Sequence, residues 1–144
     1  HITQFLAPMA QAAGYDVVVI DPRETFVTDA RFPGITCFGG WPDEVMPGLG
    51  LDERTAIVTL THDPKIDDPG LQSALVSPVF YIGCLGSRRT HAARCDRLQE
   101  AGFNKADLQR LHGPAGLDIG AKTPAEIAVS ILAEMIIVER RGGS

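Results

Sequence analysis

Short runs of apolar, mostly β-branched residues alternate with amphipathic stretches along this chain. Four such runs, at residues 17–20, 35–38, 56–60 and 79–82, predict β-strands. The stretches between and after them repeat apolar residues every three to four positions, which is typical of helices. Strands that are apolar on both faces are typical of parallel sheets covered by helices. The pattern therefore predicts a three-layer α/β fold with a mostly parallel sheet.

The predicted helices carry recognisable end signals. The first covers residues 2–14 and ends at a glycine, a charged helix covers residues 87–102, and a shorter one covers residues 104–111. The last helix has the strongest start, with Thr123 as N-cap, proline next, and Glu126 at the third helical position. That helix is apolar around most of its circumference, so it is either deeply packed or part of a subunit interface.

Composition narrows the class of protein. The chain has 144 residues, 44% hydrophobic and 22% charged, with a formal net charge of -5, which fits one folded domain spanning residues 1–144. No apolar run approaches the roughly 20 residues of a membrane span. The acidic balance argues against a general nucleic-acid binder. Three scattered cysteines form no disulfide framework, so we expect a cytoplasmic setting.

Polar and glycine residues follow each predicted strand. They are Asp21, residues 39–40, residues 61–63 and residues 83–87. The carboxyl ends of parallel strands share one edge of the sheet, and ligands bind there in open α/β folds. The sequence therefore predicts one rim that carries the binding residues.

Asp21 follows the first predicted strand. In a dinucleotide-binding unit an acidic residue there accepts hydrogen bonds from a ribose, roughly 20 residues after a glycine loop. The alternative is a turn aspartate before proline. That glycine loop is absent from this sequence, so we expect the first strand and glycine turn of the fold to be missing from the chain.

The segment after the fourth strand is the most informative. Gly83 and Gly86 would let the backbone turn sharply and approach a ligand, and Ser87 would cap a helix whose free N–H groups suit an anion. Arg88 and Arg89 at that helix start indicate phosphate contact or, alternatively, side chains that face solvent. Of these two interpretations, phosphate contact is the more specific prediction.

Other polar residues allow two interpretations each. His62 and Asp63 could form an acid/base pair or hydrogen-bond a ligand, and Asp118 could bind a ligand or stabilise its own turn. Asp67 is predicted to lie at a helix start. Cys84 is either a small apolar filler or a reactive thiol. No histidine or cysteine spacing predicts a metal site, and no order of residues predicts a hydrolase.

Taken together, four segments resemble the XdhC/CoxI family, accessory proteins of xanthine dehydrogenase-type molybdenum enzymes. The segments are HITQFLAPMAQAAGYDVVVIDPR, THDPKIDDP, YIGCLGSRRTHAAR and GLDIGAKTPAEIAVSILAE. The resemblance implies the Rossmann-like C-terminal domain of such a protein. It also implies an accessory role: binding the molybdenum cofactor (molybdopterin or its dinucleotide form), assisting its sulfuration with a cysteine desulfurase, and delivering it to the apo-enzyme.

The resemblance also implies the binding residues. They are His1, Asp21, Thr61, His62, Asp63, Gly83, Gly86, Ser87 and Arg88, with Asp118 as a weaker candidate. It assigns no catalytic residue. Family proteins carry a Gly-x-Gly turn and a first strand before the histidine that matches His1, and usually a further N-terminal domain. We expect all three to be missing from this sequence.

Two other functions remain open. The same rim and Asp21 would suit a Rossmann-fold oxidoreductase that uses NAD(P), although no catalytic pairing of residues is evident. The apolar last helix would suit a dimerisation or interaction domain.

Overall fold

The structure, a computed structural model, describes residues 2–23 and 32–142. The helices are α1 (Ile2–Ala12), α2 (Pro42–Val45), α3 (Pro64–Leu75), α4 (Arg88–Glu100), α5 (Lys105–Leu108) and α6 (Pro124–Arg141), with a 3₁₀ turn at Met46–Leu49. The strands are β1 (Val18–Ile20), β2 (Thr36–Phe38), β3 (Ala56–Thr59), β4 (Tyr81–Cys84) and β5 (Leu111–His112). None of the helices in these two ranges has the length and apolarity needed to cross a bilayer.

The strands form two small sheets, and every pairing between described strands is parallel. β1 pairs with β2, while β3, β4 and β5 lie side by side in that order. In the second sheet Ile57 is opposite Ile82, and Gly83 is opposite His112. The predicted α/β fold with a mostly parallel sheet is confirmed.

Helix α1 bridges the two sheets. Its Leu6 packs in the same cluster as Val58 of β3, whereas its Ala7 packs in the cluster that contains Val19 of β1. β4 is buried along its whole length, but β1 and β3 stay partly exposed, and Val18 is 38% exposed although apolar. The expected first strand and glycine turn would precede the described residues, and they stay a prediction.

The largest apolar cluster surrounds β4. Leu71 of α3, Leu98 of α4 and Ile82 are almost completely buried there. Each such side chain contributes about 1.5–3 kcal/mol of burial free energy. On the other face α6 buries Ile131 and Met135, while its Val129 and Ile136 remain exposed. The deep-packing interpretation of α6 therefore accounts for its inner face, and the interface interpretation stays a prediction.

Two segments differ most from the sequence prediction. β4 covers Tyr81–Cys84, which is two residues later than predicted at both ends. The carbonyls of Ser77 and Val79 before it accept hydrogen bonds from the guanidinium of Arg110 at 2.8 and 3.2 Å. The helix predicted at residues 104–111 ends at Leu108, and Leu111–His112 form the strand β5. Two residues give no periodicity from which a strand could be predicted.

Candidate functional site

The carboxyl ends of β3 and β4 turn outwards side by side. The N–H of Leu85 donates to the carbonyl of Thr59 at 3.0 Å, which extends the pairing of the two strands by one residue. The N–H of Ala115 donates to the carbonyl of Cys84 at 2.9 Å, which brings in the loop before α6. Three loops therefore meet at one edge of this sheet, where the sequence predicted a rim.

The end of β1 carries an ion pair. The carboxylate of Asp21, which is buried, accepts from the guanidinium of Arg23 at 2.7 Å and from its backbone N–H at 2.9 Å. The pKa of Arg23 is raised chiefly by its hydrogen bond to Asp21, and the charges of Asp63 and Asp67 raise it further. The end of β1 therefore lies near the start of α3. Sequence reasoning missed Arg23, although its spacing of two residues from Asp21 was a usable signal.

The turn after β3 presents two side chains in different roles. Asp63 is the N-cap of α3, since its carboxylate accepts from the N–H of Lys65 at 3.0 Å. His62 is exposed and has a left-handed backbone with φ of 65°, an unusual conformation for a residue other than glycine. The structure gives no contact between the side chains of His62 and Asp63, and ligand hydrogen bonding by His62 stays a prediction.

Asp67 lies in the first turn of α3, as predicted, and its side chain faces inwards. It is 7% exposed, and its carboxylate accepts from the hydroxyl of Thr61 at 2.7 Å. Burial raises the pKa of Asp67, while hydrogen bonds from the turn and the charge of Arg94 oppose the increase. Asp67 therefore ties the turn after β3 to its helix, and it leaves Thr61 engaged within the protein.

The turn after β4 leads directly into the N-terminus of α4. Ser87 is the N-cap of α4; its hydroxyl accepts from the N–H of Thr90 at 3.1 Å and its carbonyl from the N–H of His91 at 2.9 Å. The first N–H groups of a helix have no acceptor within it. Those of Arg88 and Arg89 therefore point out of the helix end, beside two exposed guanidinium side chains. Ser87 and the two arginines lie as predicted.

Gly83 lies inside β4 and not in the turn. A Cβ atom there would lie 2.7 Å from the ring and the hydroxyl of Tyr81. Tyr81 is 1% exposed, and its ring stacks on His112 at a centroid distance of 4.8 Å. Its hydroxyl donates a hydrogen bond to the carboxylate of Glu134 at 2.6 Å. The space beside Gly83 is therefore filled by a side chain of this protein, and ligand contact by Gly83 stays a prediction.

The remaining candidates differ in position. Cys84 is completely buried, and burial raises its thiol pKa to about 11, which supports the filler interpretation. Asp118 is exposed in the loop before α6. His1 lies outside the described residues. Within those residues no group of three histidine, cysteine or acidic side chains could hold a metal ion. The rim is thus suited to binding an anion and forming hydrogen bonds.

Comparison with known proteins places this chain in a family. Residues 1–135 match the family model described as the XdhC Rossmann domain. The chain is 31% identical over 135 residues to the molybdenum cofactor insertion chaperone PaoD of Escherichia coli, covering 94% of this chain and 36% of that protein. It is 34% identical over 140 residues to a probable xanthine dehydrogenase subunit of Bacillus subtilis, covering 94% and 39%.

A solved structure agrees with the sequence matches. The crystal structure of a xanthine dehydrogenase from Bacillus halodurans superimposes with a TM-score of 0.82 and 28% identity, covering 97% of this chain and 40% of that one. The chain spans between about a quarter and two-fifths of the length of the curated relatives it matches. The fold and the family model agree along nearly the whole chain, which therefore belongs to the XdhC family and matches its Rossmann domain.

Proposed function

We propose that this chain is the cofactor-holding domain of an accessory protein that inserts the molybdenum cofactor into an enzyme of the xanthine dehydrogenase type. The observation that carries the proposal is the Ser87-capped start of α4, which presents two N–H groups and two arginines at the rim. The named role of the relative PaoD supports the same conclusion.

The phosphate end of molybdopterin fits the start of α4. A helix N-terminus attracts anions, and arginines at that position are locally unfavourable unless a negative charge offsets them. Arg88 and Arg89 are exposed at that start. We therefore assign phosphate binding to the N–H groups and guanidinium groups of these two residues.

The turn after β3 would contact the remainder of the cofactor. His62 is exposed, and the backbone of Thr61 and Asp63 is fixed by the contacts of both side chains to α3. These groups bind and orient the ligand. When bound, the cofactor supplies the metal centre of the enzyme that receives it, whereas the residues of this chain hold it and shield its phosphate charge.

The arrangement around Asp21 favours this proposal over an oxidoreductase that uses NAD. Both carboxylate oxygens of Asp21 already accept hydrogen bonds from Arg23, so the ribose of NAD would have to displace them. The resemblance further implies a cysteine desulfurase partner, and the apolar last helix would suit a homodimer. Both stay predictions.

A retention experiment tests the proposal. The full-length protein is mixed with molybdopterin or its dinucleotide form, separated by gel filtration, and assayed for retained pterin by fluorescence after oxidation. We expect the wild type to retain pterin and the Arg88→Ala/Arg89→Ala variant to bind at least tenfold more weakly, because each charged hydrogen bond contributes about 1.5–3 kcal/mol.

The matched control is Arg140→Ala/Arg141→Ala, which removes the same charge from the exposed last turn of α6. This variant should retain pterin like the wild type. Absence of pterin on the wild-type protein would overturn the proposal, and equal losses in the two double variants would overturn the assignment to α4. Preference for one form of the cofactor would show whether it carries a nucleotide.

A further inference from the structure

A buried arginine lies beneath the turn after β4. Arg94 is 4% exposed, in the second turn of α4. Its Nη2 donates to the carbonyl of Leu85 at 2.7 Å, and its Nη1 lies 3.0 Å from Nδ1 of His91. A guanidinium has no acceptor, so His91 accepts through Nδ1. Arg94 therefore joins the carbonyl just before the turn to the first turn of the helix that follows.

The bond to Leu85 fixes the direction of the next N–H group. In a trans peptide the carbonyl and the following N–H point in opposite directions. Because the carbonyl of Leu85 points inwards to Arg94, the N–H of Gly86 points away from it. Gly86 has a φ of 134°, which L side chains rarely adopt, so this peptide orientation depends on glycine.

The burial of Arg94 carries a cost, although the charge of the buried Asp67 lies close enough to interact with it. Its Nε is buried without a hydrogen-bond partner among the described residues, and burying a charge carries a desolvation cost that such an orphan donor increases. The same side chain fixes the orientation of the Leu85–Gly86 peptide.

We propose that Arg94 is a positioning residue that holds the Leu85–Gly86 peptide so that the N–H of Gly86 becomes a third backbone donor to a bound phosphate group. Together with the N–H groups of Arg88 and Arg89, it completes a nest of donors at the start of α4. This inference rests on the proposed function, because it assigns a further donor to the same anion site.

The test measures binding of inorganic pyrophosphate to the full-length protein by calorimetry, and follows the amide proton of Gly86 by NMR. Arg94→Lys keeps the positive charge, but its single ammonium cannot reproduce the two-pronged contact. Arg94→Met removes the charge as well. The control Arg97→Met removes an equal charge from the same helix, where Arg97 forms an exposed ion pair with Asp68 at 2.6 Å.

We expect the wild type and Arg97→Met to bind pyrophosphate with similar Kd and to show a downfield shift of the Gly86 amide proton. Both Arg94 variants should raise the Kd at least fivefold and lose that shift. A Kd for Arg94→Lys within twofold of the wild type would overturn the inference, since charge would then be sufficient. This comparison holds even where Arg94→Met fails to fold.

The two proposals fail separately. Pyrophosphate binding that depends on Arg94, with no retention of molybdopterin, would overturn the proposed function and leave the positioning role of Arg94 intact. Retention of molybdopterin by Arg94→Lys at the wild-type level would overturn the positioning role alone. Absence of pyrophosphate binding by the wild type would overturn the inference itself.

Discussion

Gly83→Ala should destabilise the protein by displacing Tyr81. The added methyl group would lie 2.7 Å from two atoms of the Tyr81 side chain, closer than van der Waals contact allows. The ring cannot move easily, because Tyr81 is 1% exposed and its hydroxyl is hydrogen-bonded to Glu134 at 2.6 Å. The backbone of Gly83 has no positive φ, so the substitution adds steric overlap without backbone strain.

The expected loss is about 3 kcal/mol of unfolding free energy. Overpacking a buried site costs about 1–3 kcal/mol, and losing a hydrogen bond to a charged acceptor costs about 1.5–3 kcal/mol. Glu134 keeps the N–H of Gly116 as a donor at 3.0 Å, so it is not left unpaired and the lower part of the range applies. For a chain of this length the loss corresponds to a decrease in Tm of about 10 °C.

Urea unfolding followed by circular dichroism measures this loss, with two controls. Gly48→Ala adds a methyl group where no atom of the described residues lies within 4 Å, and it should change stability by less than about 0.5 kcal/mol. Gly83→Ala in a Tyr81→Leu background should cost much less than in the wild type, because the overlapping ring is gone. An equal cost in both backgrounds, or unchanged stability with lost pterin retention, would refute the packing role of Gly83.

Three further outcomes follow from local contacts. Thr123→Ala should lower the unfolding free energy by about 1 kcal/mol in a urea titration, because it removes the side-chain cap of α6. Burial and the charge of Arg94 lower the pKa of His91, so the unfolded state takes up its proton first as pH falls below 6.5. The unfolding free energy of His91→Asn should therefore decrease less than that of the wild type between pH 6.5 and about 5, as measured by unfolding across that range. The raised pKa of Asp67 acts in the opposite direction, but Asp67 is the same in both proteins. Cys84, with its thiol pKa raised to about 11, should react with a thiol reagent only on unfolding, later than the partly exposed Cys95.

Features that depend on neighbouring residues were predictable from the sequence. The N-caps at Ser87 and Thr123 are confirmed, since a cap needs only the next three residues to form its hydrogen bond. The apolar runs also predicted β1 and β3 to within one residue at either end. Local chemistry determines these features, so one sequence suffices to find them.

Features that depend on distant residues were not predictable. β4 begins two residues later than predicted, and the carbonyls of Ser77 and Val79 before it bind Arg110, which lies more than 30 positions away in the chain. No periodicity reports such a contact. Arg94 appears in the sequence as one basic residue among several on an amphipathic helix. Only the fold shows that it faces inwards to Leu85. Asp21 was predictable as a rim residue, and Arg23 two positions later was a usable signal for an ion pair. The two-pronged geometry of that pair is visible only in the structure.

The glycines of the rim show why a composition signal needs the fold to be interpreted. A glycine at a strand end can make room for a ligand or for another side chain of the same protein. Gly83 and Gly116 make room for Tyr81 and Ser130, because a methyl group on either would overlap these side chains. Gly86 and Gly116 also have positive φ values of 134° and 106°, which L side chains rarely adopt, so glycine is needed there for the backbone conformation as well. Neither the space beside Cα nor a positive φ therefore separates a binding glycine from a packing one at this edge of the sheet. The direction of the Gly86 N–H, which the Arg94 variants test, would separate them.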